Sequence, residues 1–202
     1  MTNINAAALD FTEIGESQDP LESGIAMRRL LIVYGTTEGQ TQKIAEYLAS
    51  EARAFGHTCN IYNVASLPPD LDLAQFPKII VAASVHAERH QASVAQFVRR
   101  ALPSLQKAQT AFLSVSLSAA GDAKERYDAW EYSRKFLSEV DWSPTKIQIV
   151  AGALRFSEHD FFKRWAMRRL AKEKRADRDQ DGEYTDWAEL HQFLKDFLGP
   201  LI

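Results

Sequence analysis

Residues 30–49 read LLIVYGTTEGQTQKIAEYLA, and their order decides the fold. Five apolar or aromatic residues, 30–34, stop at Gly35. The chain then passes through Thr36, Thr37, Glu38, Gly39, Gln40 and Thr41 into a helical pattern of Ile44, Leu48, Ala52 and Phe55. An apolar run without alternation predicts a strand buried on both faces. The stripe that follows predicts an amphipathic helix packed on that strand. A buried strand feeding a helix is the first half of a parallel crossover unit.

The pattern recurs along the chain. Residues 58–64, 78–83, 110–116 and 146–150 read as further strands. Between them, Val94, Phe97, Val98, Ala101, Leu102 and Leu105 mark one helix; Trp130, Ser133, Leu137 and Val140 mark another. Trp187, Leu190, Leu194 and Phe197 mark a terminal helix, with Thr185 or Asp186 placed to cap it. Strands alternating with helices predict an α/β doubly wound parallel sheet, covered on both faces. Five strands suit the flavodoxin-like order 2-1-3-4-5. Residues 27–202 form one such domain. It carries an insertion at about 155–184, far longer than a normal connection of roughly 2 to 6 residues.

The composition is compatible with one core: 202 residues, 46% hydrophobic and 25% charged. A net charge of -3 gives no global basis for nucleic-acid binding. Cys59 stands alone, which rules out an internal disulfide and a Cys-based metal cluster. No run approaches the roughly 18 apolar residues of a membrane span. Residues 1–26 carry five acids and no Lys or Arg, the composition of a flexible acidic extension. Met27 leads directly into the first strand, which leaves it as an alternative start.

In a doubly wound sheet the ligand lies beyond the carboxyl ends of the strands, where the turn 36–41 falls. Gly35 and Gly39 allow the chain to curl tightly. The amides of residues 37–41 and the hydroxyls of Thr36 and Thr41 then face an anion at a helix N-terminus, with Glu38 turned outward. A P-loop needs four residues between its glycines and a following Lys; here three stand between, then Gln40, and no GxGxxG is present. The turn suits a monophosphate held by amides and hydroxyls, which points to flavin mononucleotide (FMN). The competing reading is a plain capped turn. At the same sheet edge, ASVHAERHQ (83–91) and SVSLSAAGDA (114–123) follow the third and fourth strands. Ser84, Val85, His86, Ser116 and Leu117 stand where backbone borders a flavin ring, and His86 and His90 are the ionisable candidates. Neither loop has a Trp or Tyr to stack on the ring.

Residues 28–198 resemble the quinone-dependent protoporphyrinogen IX dehydrogenases. The resemblance rests on Gly39-Gln40-Thr41, Tyr47-Leu48-Ala49, Ser84 with His90, Ser114-Val115 and Arg134-Lys135-Phe136-Leu137. More specific are Ala151-Gly152-Ala153-Leu154-Arg155 and Tyr184-Thr185-Asp186-Trp187, which flank the insertion. It implies FMN as cofactor, protoporphyrinogen IX as electron donor, a membrane quinone as acceptor, and a place in haem biosynthesis. It further implies a cytoplasmic protein held peripherally at the inner face of the cell membrane. The stretch Val85-His86-Ala87-Glu88-Arg89 and the acidic extension depart from the family pattern.

Within the insertion, FFKRWAMRRLAKEKRADR (161–178) carries eight Lys or Arg against two acids, so the rest of the chain nets about nine negative charges. Its aromatics and cations suit an anionic membrane surface or the propionates of a tetrapyrrole. Arg155, Trp165, Arg168, Arg169 and Lys172 are the candidates for such contacts, Arg155 first among them for a propionate. Two other functions remain open at this level: a soluble electron-transfer flavodoxin, and a binding module that has lost its cofactor.

Overall fold

A computed structural model describes residues 28–154 and 182–200. The strands are β1 (Arg29–Gly35), β2 (Thr58–Asn63), β3 (Lys78–His86), β4 (Arg89–His90), β5 (Gln109–Ser116), β6 (Lys146–Ala151), β7 (Ala153–Leu154) and β8 (Gly182–Glu183). The helices are α1 (Gln40–Ala54), α2 (Ala92–Leu105), α3 (Ala123–Glu139) and α4 (Trp187–Leu198). The main sheet runs β2-β1-β3-β5-β6, all parallel. With the two-residue β4 set aside, this is the expected order 2-1-3-4-5. The acidic extension lies outside the described residues, as do Arg155, Trp165, Arg168, Arg169 and Lys172.

The first apolar run has no alternation because both of its faces are covered. Leu30 and Ile32 point into one core with Ile44, Leu48, Leu194 and Phe197 of α1 and α4. Leu31 and Val33 point into the other with Val94, Val98 and Phe136 of α2 and α3. Gly35 pairs with Ala83, Ala83 with Ser114, and Ser116 with Ala151. That register aligns the carboxyl ends of β1, β3, β5 and β6 and gathers their following turns at one edge.

Several elements differ from the sequence-based expectation. β3 continues through Ser84, Val85 and His86, and its end folds back as a hairpin in which Val85 pairs with His90 and His86 with Arg89. Ala87 and Glu88 form its two-residue turn at φ 47 and 65. Non-glycine residues rarely adopt this conformation, and nothing in Ala-Glu announces it. Trp130, expected in a core stripe, is 44% exposed, and Phe136 takes the buried position on α3. Val64 belongs to a short 3₁₀ turn after β2. Asp186 is the residue that caps α4, accepting from the Glu189 amide at 2.9 Å. The insertion leaves on β7 and returns on β8, which pair antiparallel, Ala153 with Glu183 and Leu154 with Gly182.

Candidate functional site

The four turns enclose an open cleft at the carboxyl edge of the sheet. Thr36, Thr37, Glu38, Gln40 and Thr41 line it from the turn after β1, and Ser84, Val85 and His86 from the end of β3. Ser116 and Leu117 close the third side, joined by Val115, which sequence reasoning had not singled out. Gly152 and Ala153 form the fourth side and were likewise missed as site residues. Their signal was their position after the last strand, at the same edge as the other turns.

The turn after β1 is built by its own side chains. Thr36 Oγ1 accepts from the Gly39 amide at 2.9 Å. Gly39 sits at φ 85 as the N-cap of α1. One expectation is corrected here: the Gly39 amide is engaged within the turn, and Gly39 does not line the cleft. Glu38, expected to face outward, is half-buried among the lining residues. Gln40 is 5% exposed, and its side-chain amide donates to Thr185 Oγ1 at 2.8 Å. Thr185 in turn donates to the Ala151 carbonyl at 2.8 Å. This buried relay joins the start of α1 to the end of β6 and the start of α4. Gly35 is required by close packing: a Cβ there would stand 2.5 Å from Val94 Cγ2.

Thr41 tests whether the cleft fits a phosphate group. It is fully buried and lines the cleft, yet its hydroxyl has no hydrogen-bond partner among the described residues. A buried hydroxyl left unpaired costs about 1 to 3 kcal/mol, so an anion oxygen at this position supplies what the fold omits. The N-terminus of α1, with its positive dipole end, favours the same charge. The residues present therefore fit a phosphate monoester.

His90 does not line the cleft. Its Nε2 meets Ser114 Oγ at 2.9 Å, and its ring lies against Phe112 and Phe136, with centroids 5.2 and 4.8 Å away. Burial among these rings pushes its pKa down to about 4, which keeps it neutral at physiological pH. It is a partly buried histidine packed behind the site, where it lines a separate groove with Arg89 and Tyr132. His86 is the histidine that faces the cleft.

Where the insertion returns, Lys43 on α1 pairs with Glu183 at 2.5 Å. The hydrogen bond from Lys43 is the main reason the Glu183 carboxyl is held below its usual range. Tyr47 packs edge-on against Trp187, with centroids 4.9 Å apart. Both ends of the insertion are thus fixed beside the cleft. The Tyr184 amide also donates to the Gly152 carbonyl at 3.1 Å.

A doubly wound sheet of order 2-1-3-4-5, with an anion-accepting turn after its first strand, defines a mononucleotide-binding α/β protein. Residues 31–181 match the flavodoxin domain family, and the chain belongs to that family. It is similar to the protoporphyrinogen IX dehydrogenase [quinone] of Escherichia coli K12, 29% identical over 170 residues, covering 83% of this chain and 93% of that one. It is 30% identical over 175 residues to the protein of the same name from Leishmania major, covering 84% of this chain and 74% of that one. Among solved structures, oxidised flavodoxin 1 from Bacillus cereus superposes with a TM-score of 0.51 at 15% identity, covering 84% and 97% of the two chains. That likeness is one of fold.

Proposed function

We propose that the chain is an FMN-dependent oxidoreductase that oxidises protoporphyrinogen IX to protoporphyrin IX with a quinone as electron acceptor. The observation that carries the cofactor reading is the buried, unpaired Thr41 hydroxyl at the mouth of α1. The substrate and acceptor rest on similarity to the bacterial and protozoan dehydrogenases. Thr36, Thr37, Thr41 and Ser84 hold the phosphate, with Gln40 fixing the start of α1 from behind. Val85, His86, Ser116, Leu117 and Gly152 border the ring. Bound FMN supplies two-electron redox chemistry, so a protein nucleophile or metal is not required.

The chain's own contribution is placement. The cleft is open, and Gly152 and Ala153, at the strand pair that carries the insertion, line one of its walls. The sequence of the insertion, rich in Arg, Lys, Phe and Trp, supports a role in bringing apolar anionic substrates and a membrane quinone to that opening. We propose accordingly a cytoplasmic protein held peripherally on an anionic membrane surface.

The test is an anaerobic titration. FMN-loaded protein is mixed with protoporphyrinogen IX while the flavin absorbance is followed, and quinone is then added. Bleaching followed by recovery of colour is the expected result. Tight FMN binding without bleaching would instead leave an electron-transfer flavodoxin with a protein partner.

A further inference from the structure

Gln91 closes the loop 83–91 and was given no role by the sequence, yet its side chain joins two walls of the cleft. It stands at the entry to α2, where its carbonyl accepts from the amides of Val94 and Ala95 at 3.1 and 3.2 Å. Its side chain does not cap that helix. Instead Nε2 reaches Thr37 Oγ1 at 3.2 Å on the turn after β1, and makes a short hydrogen bond to Ser84 Oγ at the end of β3. The two hydroxyl oxygens are 3.3 Å apart. The other end of the amide, Oε1, is buried without a hydrogen-bond partner among the described residues.

The hydrogens can be counted. A side-chain amide nitrogen has two hydrogens and no acceptor lone pair, so each hydroxyl oxygen serves as the acceptor of one bond from Gln91. The hydroxyls own two hydrogens between them, and at most one lies along the line joining the two oxygens. At least one must therefore leave the triangle, and both residues line the cleft. We infer that Gln91 is a positioning residue that turns at least one of the Thr37 and Ser84 hydroxyls into a hydrogen-bond donor toward the phosphate of the bound cofactor. The buried Oε1 supports this: the amide forgoes one partner of its own to keep its nitrogen on the two hydroxyls. Gly35 leaves the necessary room, since a Cβ there would come within 3.2 Å of Oε1.

The inference rests on the FMN reading, and riboflavin, which has the ring and lacks the phosphate, separates the two. The full-length protein, stripped of flavin, is titrated with FMN and with riboflavin by fluorescence quenching. Gln91→Leu should weaken FMN about tenfold and riboflavin less than about twofold, the size expected for losing orientation at a charge-assisted bond. In a chain that also carries Thr37→Val and Ser84→Ala, the same substitution should change FMN affinity by less than about twofold, because its effect passes through those hydroxyls. Equal factors on both backgrounds, or equal losses for both ligands, would overturn the proposal. If Gln91→Leu does not fold, Gln91→Met keeps the length and replaces it. The Thr37→Val, Ser84→Ala pair by itself must lose FMN affinity and spare riboflavin; if it does not, the proposal falls whatever the Gln91 variants do. Unaltered protein that binds neither flavin overturns the cofactor reading, and the role of Gln91 with it.

Discussion

Thr41 carries a conflict between stability and binding. Its hydroxyl is buried and has no hydrogen-bond partner among the described residues. Thr41→Val, which keeps the shape and removes the polar atom, should raise the stability of the flavin-free protein by about 1 kcal/mol in urea unfolding. It should also weaken FMN about tenfold or more, since a hydrogen bond to a charged group is worth about 1.5 to 3 kcal/mol. A variant that loses both stability and affinity would contradict this account. His90 makes a second prediction at the same scale. In the unfolded chain its ring takes up a proton below about pH 6.5, whereas in the folded protein it resists until about 4. Its contribution is therefore complete above pH 6.5, is lost as pH falls from 6.5 to 4, and amounts to roughly 3 kcal/mol over that window. Urea midpoints at pH 7 and 4.5 should differ less for His90→Gln than for the unaltered protein. At this scale the place of the 36–41 turn at the cleft was legible from its position after the first strand, whereas the orientation of Glu38 and Gly39 within it was not. It was silent on Gln91, because no spacing rule links position 91 to positions 37 and 84.

The elements were mostly legible because parallel strands buried on both faces give unbroken apolar runs, and because their helices need a regular stripe. The hairpin at the end of β3 was not. Its turn residues Ala87 and Glu88 take the left-handed conformation that Asn-Gly adopts readily, at a cost of roughly 1 to 2 kcal/mol for each non-glycine residue. Replacing them by Asn-Gly should raise stability by about 1 to 2 kcal/mol in urea unfolding. The misassigned Trp130 has a related cause. α3 carries aromatics on several sides, so a stripe drawn through Trp130 and Ser133 competed with the stripe through Ser133, Phe136 and Leu137 that the core selects.

For the whole molecule, charge is unevenly distributed. The segment 161–178 has an excess of six positive charges in a chain of net charge -3. Substituting Gln for Arg168, Arg169 and Lys172 should weaken binding to liposomes containing anionic lipid by roughly 3 kcal/mol at low salt, about 1 kcal/mol per cation, if the segment docks on membranes. Flotation at two salt concentrations checks this. Unchanged flotation with a raised KM for protoporphyrinogen IX would assign the charges to the tetrapyrrole.

The pairing of Ala153 with Glu183 and of Leu154 with Gly182 has an evolutionary consequence. The chain that departs toward residues 155–181 and the chain that comes back are neighbours in a ribbon of two residue pairs. The parallel strands and the residues that line the cleft all lie outside residues 155–181, so a change of length between those bounds removes none of them. A lineage can therefore vary that stretch while keeping every described residue of the cleft wall.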